Sequence, residues 1–203
     1  MLAKEATLRM PLIEFIWPEK SLTRNCLLVM GTSLLLVLSA QIAIPLPFSP
    51  VPVTLQTLVV LLAGAVLGSR LGTLSVLIYL VEGAVGLPFF AKGGAGLAYL
   101  RGVTGGYLVG FIVVAFIVGL LVEGGLGRTF RTAVLAMFVG NILLYCFGLP
   151  WLKSVLNISM GKSFAFGLYP FILGDLYKIG LASALLPQLW RFFGKPNIIN
   201  VNQ

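Results

Sequence analysis

Six apolar runs, at about residues 26–44, 54–68, 73–87, 105–122, 132–151 and 170–192, limit what this chain can become more than any other feature. About 20 apolar residues are enough to carry a helix across the hydrocarbon core of a bilayer. The 203 residues are 59% hydrophobic and 10% charged, with a mean hydropathy of +1.04. Soluble domains carry about 25% charged residues. No soluble fold hides this much apolar surface, so the runs are expected to be spans. The fold expected is an all-α polytopic membrane protein, a bundle of six transmembrane helices.

The breaks between the runs are chemical. Pro45, Pro47, Pro50 and Pro52 fall within eight residues, and no helix survives that spacing, so an extended loop is expected there. Arg70 and Gly72 mark a turn, Pro88 ends the third run, and Glu123, Arg128 and Arg131 flank a loop. Pro170 suits the first position of the last helix. Residues 1–24 read as a cytoplasmic N-terminal segment, 25–192 as the six-helix transmembrane domain and 193–203 as a cytoplasmic tail. A short interfacial helix within Met1–Lys20 would place Phe15 and Trp17 at the headgroups. The first run is too long for a signal peptide.

The net charge of +8 follows membrane topology and does not mark a nucleic-acid partner. With both termini cytoplasmic, the inner segments hold nine cations: Lys4, Arg9, Lys20, Arg24, Arg70, Arg128, Arg131, Arg191 and Lys195. The outer loops hold four, namely Lys92, Arg101, Lys153 and Lys162. Cytoplasmic loops are the ones enriched in Lys and Arg. A positive outer mouth also concentrates anions; Lys92 and Arg101 suit that role or contact with headgroups, and Lys153 and Lys162 suit headgroups or solvent.

Several chemistries are excluded. Histidine is absent, and Cys26 and Cys146 read as small core residues, so no metal or cofactor is expected. Gly161-Lys-Ser163 imitates a phosphate loop, but Leu156 stands where such a loop needs its first glycine. No nucleophile has a base beside it, which argues against an enzyme.

Asp175 and Lys178 lie in the otherwise uncharged stretch 164–190. Each charge deep in a bilayer costs about 2.5–3.5 kcal/mol on insertion scales. At i and i+3 they share a helix face and offset each other. A functional site facing the bundle interior is favoured over an ion pair that only staples helices. The segment 86–110 holds eight glycines in 25 residues. Glycine lets backbone approach a ligand closely, so the segment reads as a loop folded back toward the bilayer, or as a flexible hairpin. Small residues recur four apart at Gly64/Gly68, Gly102/Gly106/Gly110, Ala115/Gly119, Ala136/Gly140 and Gly180/Ala184. That spacing signals tight helix packing and identifies no function.

Five blocks occur in order: Pro50-Val-Pro-Val-Thr-Leu-Gln-Thr57, Leu61-Leu-Ala-Gly64, Gly86-Leu-Pro88, Thr104-Gly-Gly-Tyr-Leu-Val-Gly-Phe111 and Gly174-Asp-Leu-Tyr-Lys178. Together they resemble the BioY family, the biotin-binding substrate components of energy-coupling-factor transporters. The resemblance covers about residues 25–192. It implies high-affinity capture of biotin from outside, in a bacterial plasma membrane. It also implies partners: one transmembrane coupling subunit and two cytoplasmic ATPases. There are departures. Val103 stands where the family usually has proline, the first helix lacks a clean Ala-xxx-Ala docking pattern, and Arg101 and Glu82 are charged where the family is not expected to be.

On this resemblance Asp175 would accept from the ureido N–H groups of biotin and Lys178 would donate to the ureido carbonyl. With the last helix starting at Pro170, Asp175 would sit about 7–8 Å below its outer end. Tyr107 would cover the thiolane, with Thr104 nearby. Gly93, Gly94 and Gly96, with Arg101 or Lys92, would meet the carboxylate. Gln56 is either a ligand contact or a helix-end hydrogen bond. A self-sufficient carrier or channel for a small organic anion, and more weakly an intramembrane enzyme, are the competing readings.

Overall fold

The structure, a computed structural model, describes residues 10–194. Lys4, Arg9, Lys195 and the rest of the two ends lie outside the described residues. Five helical segments are long and apolar enough to cross a membrane: Leu22–Gln41, Gln56–Ala84, Gly105–Glu123, Phe130–Leu156 and Met160–Phe193. The helices are numbered in order: α1 (Ile13–Ile16), α2 (Leu22–Gln41), α3 (Gln56–Ala84), α4 (Gly96–Leu100), α5 (Gly105–Glu123), α6 (Phe130–Leu156), α7 (Met160–Gly167) and α8 (Ile172–Phe193).

The 29-residue α3 is not one rod. Gly68 has φ 84° and reverses the chain, a backbone state that glycine adopts without a Cβ penalty. Gln56 Nε2 consequently donates to Tyr79 Oη at 2.7 Å, although a straight helix would separate 23 residues by about 34 Å. The start of the second half is held by Glu123, which accepts from the Ser69 amide at 2.7 Å. The two halves correspond to the two short runs expected here, but the turn falls at Gly68, and Arg70 and Gly72, expected to mark it, lie inside the second half.

Close approach explains some of the small-residue spacing. A Cβ at Gly64 would run into the Ala115 backbone, and one at Gly119 into the Ser69 backbone, which packs α3 against α5. Gly106 and Gly110 make room for Trp151 and Phe147 of α6. Gly180 faces open space, so its spacing with Ala184 marks no internal contact. The buried core runs through these seams, with Val60, Ala65, Val76, Ala115, Val118, Ala136 and Met137 all at 2% exposure or less.

The proline-rich loop is extended, and it is also paired. Strands β1 (Ala43–Leu46) and β2 (Ser49–Thr54) form an antiparallel hairpin with Ala43 opposite Thr54 and Leu46 opposite Ser49. Pro45 falls at the register irregularity between Ile44 and Leu46, where a missing N–H costs least. Ser49 Oγ donates to the Phe166 carbonyl at 2.7 Å and ties the hairpin to α7. The wholly helical expectation is therefore corrected by one small sheet.

Three further corrections follow. The last helix begins at Ile172, after a 3₁₀ turn at Tyr169–Phe171. Asp175 therefore sits about 4.5 Å into it, shallower than the distance counted from Pro170. Cys26 and Cys146 are exposed on the apolar outer surface and are not core residues. Phe15 turns inward and meets the Trp190 ring edge-on at 5.4 Å, while Trp17 stays partly exposed. That inward turn is set by Arg24, which is 1% exposed and donates to Glu14 and to the Ile13 carbonyl.

Candidate functional site

One cavity gathers β2, both halves of the 86–110 segment, α3, α5, α6 and α8. It holds about 570 Å³ of space between atoms, part of it open to solvent. Leu108, Phe111, Leu144 and Phe171 make an apolar wall, and Asp175 and Lys178 make the charged pole.

The pole is built by three helices. Asp175 and Lys178 are 4% and 5% exposed. Lys178 Nζ lies 3.4 Å from Asp175 Oδ1 and donates to Thr57 Oγ1 of α3 at 2.8 Å. The other carboxylate oxygen, Oδ2, accepts from the Tyr145 hydroxyl and from Asn141 Nδ2 at 3.3 Å, both on α6. A buried pair is tolerated when further hydrogen bonds satisfy its remaining lone pairs and protons. Lys178 thus directs its ammonium to two acceptors, of the three it can serve, and Asp175 Oδ1 accepts from one donor.

Around the pole, Tyr107 donates to the Gly167 carbonyl at 2.9 Å. It fits because Gly148 and Gly167 have no Cβ: one added at Gly148 would overlap the ring, and one at Gly167 the hydroxyl. Tyr99 reaches the cavity from α4, its ring stacked on Phe90 at 4.9 Å. Burial raises the Tyr99 phenol above its ordinary pKa, so it faces the cavity as a neutral hydroxyl.

Five of the nine residues expected at a site line this cavity: Asp175, Lys178, Tyr107, Thr104 and Gln56. Gln56 does so near the start of α3, where its side chain is hydrogen-bonded to Tyr79 and Thr54. Gly93, Gly94, Gly96 and Arg101 are not on the cavity wall. The Gly93 amide already donates to Gln41 Oε1 at 3.2 Å, and the Gly94 amide to the Ala91 carbonyl at 3.2 Å. These two glycines shape the loop that carries Ala91 and Tyr99 and do not present free amides. Arg101 is exposed beyond the end of α4.

Sequence reasoning missed Thr57, Asn141 and Tyr145. A signal existed for the α6 pair: Asn141 is the one amide in its apolar run and stands four residues before Tyr145, a spacing that places both on one helix face.

The BioY family model matches residues 8–195. A protein of Rhizobium etli named biotin transporter BioY is 42% identical over 149 residues, covering 70% of this chain and 79% of that one. A probable biotin transporter BioY of Lysinibacillus sphaericus is 35% identical over 188 residues, covering 89% of this chain and 94% of the relative. Among solved structures, the S-component for biotin from an ECF-type ABC transporter superposes with a TM-score of 0.76 at 26% identity, covering 83% of this chain and 92% of that one. A family match over nearly the whole length, relatives named as transporters and a shared fold lead to one conclusion: this chain belongs to the BioY family.

Proposed function

We propose that this protein captures biotin from the outer side of a bacterial plasma membrane and delivers it inward as the substrate component of an ATP-driven energy-coupling-factor transporter. The observation that carries this reading is the Asp175–Lys178 pole, buried in a cavity with an apolar wall. Biotin offers the matching partners: a ureido ring with two N–H donors and one carbonyl acceptor, an apolar thiolane and a carboxylate tail. Asp175 accepts from a ring N–H, and Lys178 donates to the ring carbonyl. Phe111, Leu144 and the Tyr107 ring cover the thiolane. The tail points outward, toward the exposed Arg101, which stands three residues before the cavity-lining Thr104 in sequence.

In this reading α3 supplies two crossings, so the bundle has six, and residues 1–24 and 193–203 are cytoplasmic. A coupling subunit and two ATPases supply the energy. The chain itself carries no phosphate-binding loop, since Gly161-Lys-Ser163 lacks the glycine such a loop requires at position 156.

Calorimetry in detergent tests the site. Wild type is expected to bind biotin at one saturable site, and Asp175→Asn about tenfold or more weakly, because a charge-assisted bond becomes a neutral one. Lys153→Ala, in the last turn of α6 and off the cavity wall, is expected to bind as wild type does. An Asp175→Asn protein that folds and binds unchanged would falsify the role of the pole. Labelled-biotin uptake in cells with and without the ATPase module tests the coupling: uptake by the chain alone favours a self-sufficient carrier.

A further inference from the structure

The cavity shares a wall with an open cleft between α6 and α8, with about 540 Å³ of space between atoms, part of it open to the surroundings. It opens on the apolar outer surface, where Phe138, Ile142 and Leu176 are each close to half exposed. Tyr145 and Asp175 line both spaces and form the partition between them. Asn141 lines the cleft and not the cavity. It also lines a small space beside Thr57, Phe111 and Leu144, under the cavity wall and not on it. Yet its amide donates to Asp175 Oδ2, the oxygen that also takes the Tyr145 hydroxyl, while Lys178 engages Oδ1.

We propose that Asn141 is a positioning residue for ligand capture: with Tyr145 it pins one carboxylate oxygen of Asp175 to α6, so that the other is presented to Lys178 and the ligand. The proposal rests on the reading of Asp175 as acceptor for a ring N–H. Two donors on one oxygen stop the carboxylate from rotating about its terminal torsion, which is broad for a free aspartate. The ordering is then complete before the ligand arrives, which lowers the cost of binding. Thr57 does the same for the Lys178 ammonium from α3.

The test is a double-mutant cycle on biotin affinity, read with labelled biotin, with thermal unfolding measured on each protein. Asn141→Leu is expected to weaken binding about fivefold, and this effect is expected to shrink below about twofold in the Asp175→Asn background, since neighbours that act through one another are not additive. A residue that only stabilises the bundle would weaken binding equally in both backgrounds, and that result overturns the proposal. Unchanged affinity for Asn141→Leu overturns it as well. If Asn141→Leu does not fold, Tyr145→Phe keeps the ring of the partition and carries the same test with the same criterion. Absence of biotin binding by the wild type, or wild-type affinity in Asp175→Asn, would instead defeat the functional reading beneath it.

Discussion

Lys178→Met is expected to remove biotin binding and to destabilise the protein by about 3–5 kcal/mol, the cost of leaving one member of a buried ion pair unpaired. The methionine preserves most of the volume of the lysine stem. It leaves the Asp175 carboxylate, 4% exposed, with only the Tyr145 hydroxyl and the Asn141 amide as donors. Thr57 loses its ammonium partner in the same change. The double variant Asp175→Asn/Lys178→Met separates two roles of the pair. Without either charge, nothing charged remains at the pole, and most of the lost stability is expected to return. Binding is not expected to return, because the ring carbonyl and N–H groups of biotin no longer meet a charge. Unfolding in detergent and labelled-biotin binding, measured on all three proteins, decide the matter. A double variant with wild-type affinity would show that the pair is a staple between helices and not a grip on the ligand.

Gly119→Val carries the second large effect, on the fold and not on the site. Its added atoms would enter the backbone of Ser69, where α5 crosses the turn in α3. Overpacking a core costs about 1–3 kcal/mol when side chains can shift. Here the obstacle is main chain, so relief requires moving a helix. Ser69 also takes part in the cap to Glu123, so displacing it also disturbs the start of the second half of α3. The variant is expected to lose its monodisperse elution in detergent and to unfold at least 5 °C lower, by the scale of about 2–4 °C per kcal/mol for chains of this size. Gly180→Val is the control, because nothing lies within 4 Å of a Cβ there, and it is expected to elute as wild type. Equal unfolding temperatures for Gly119→Val and wild type would remove close helix approach as the basis of this seam.

Both expectations depend on features that the sequence displays unequally. The pole was legible because an isolated pair of opposite charges at i and i+3 is costly in an apolar stretch and needs a reason. Thr57 and Tyr145 were not, because a threonine near a helix start and a tyrosine in an apolar run have ordinary roles that need no ligand. The small-residue repeats showed that close packing occurs, and they did not say where. Gly64 and Gly119 meet backbone while Gly180 meets nothing, and the same four-residue spacing precedes all three outcomes. The glycine-rich segment misled in the other direction. Its amides look available in the sequence, yet Gln41 on α2 and the Ala91 carbonyl already take those of Gly93 and Gly94.

The sequence by itself determined the solvent in which this chain folds, the order of its apolar segments and the single helix face that carries opposite charges. Those properties are local: they follow from hydropathy, from proline and glycine, and from a periodicity of 3.6 residues. Tertiary structure alone decided which atoms surround the charges. Asn141, Tyr145 and Thr57 reach them from helices 30 to 121 residues away in the chain. Such contacts depend on how helices cross, and crossing is set by volumes at the seams that no one-dimensional pattern records.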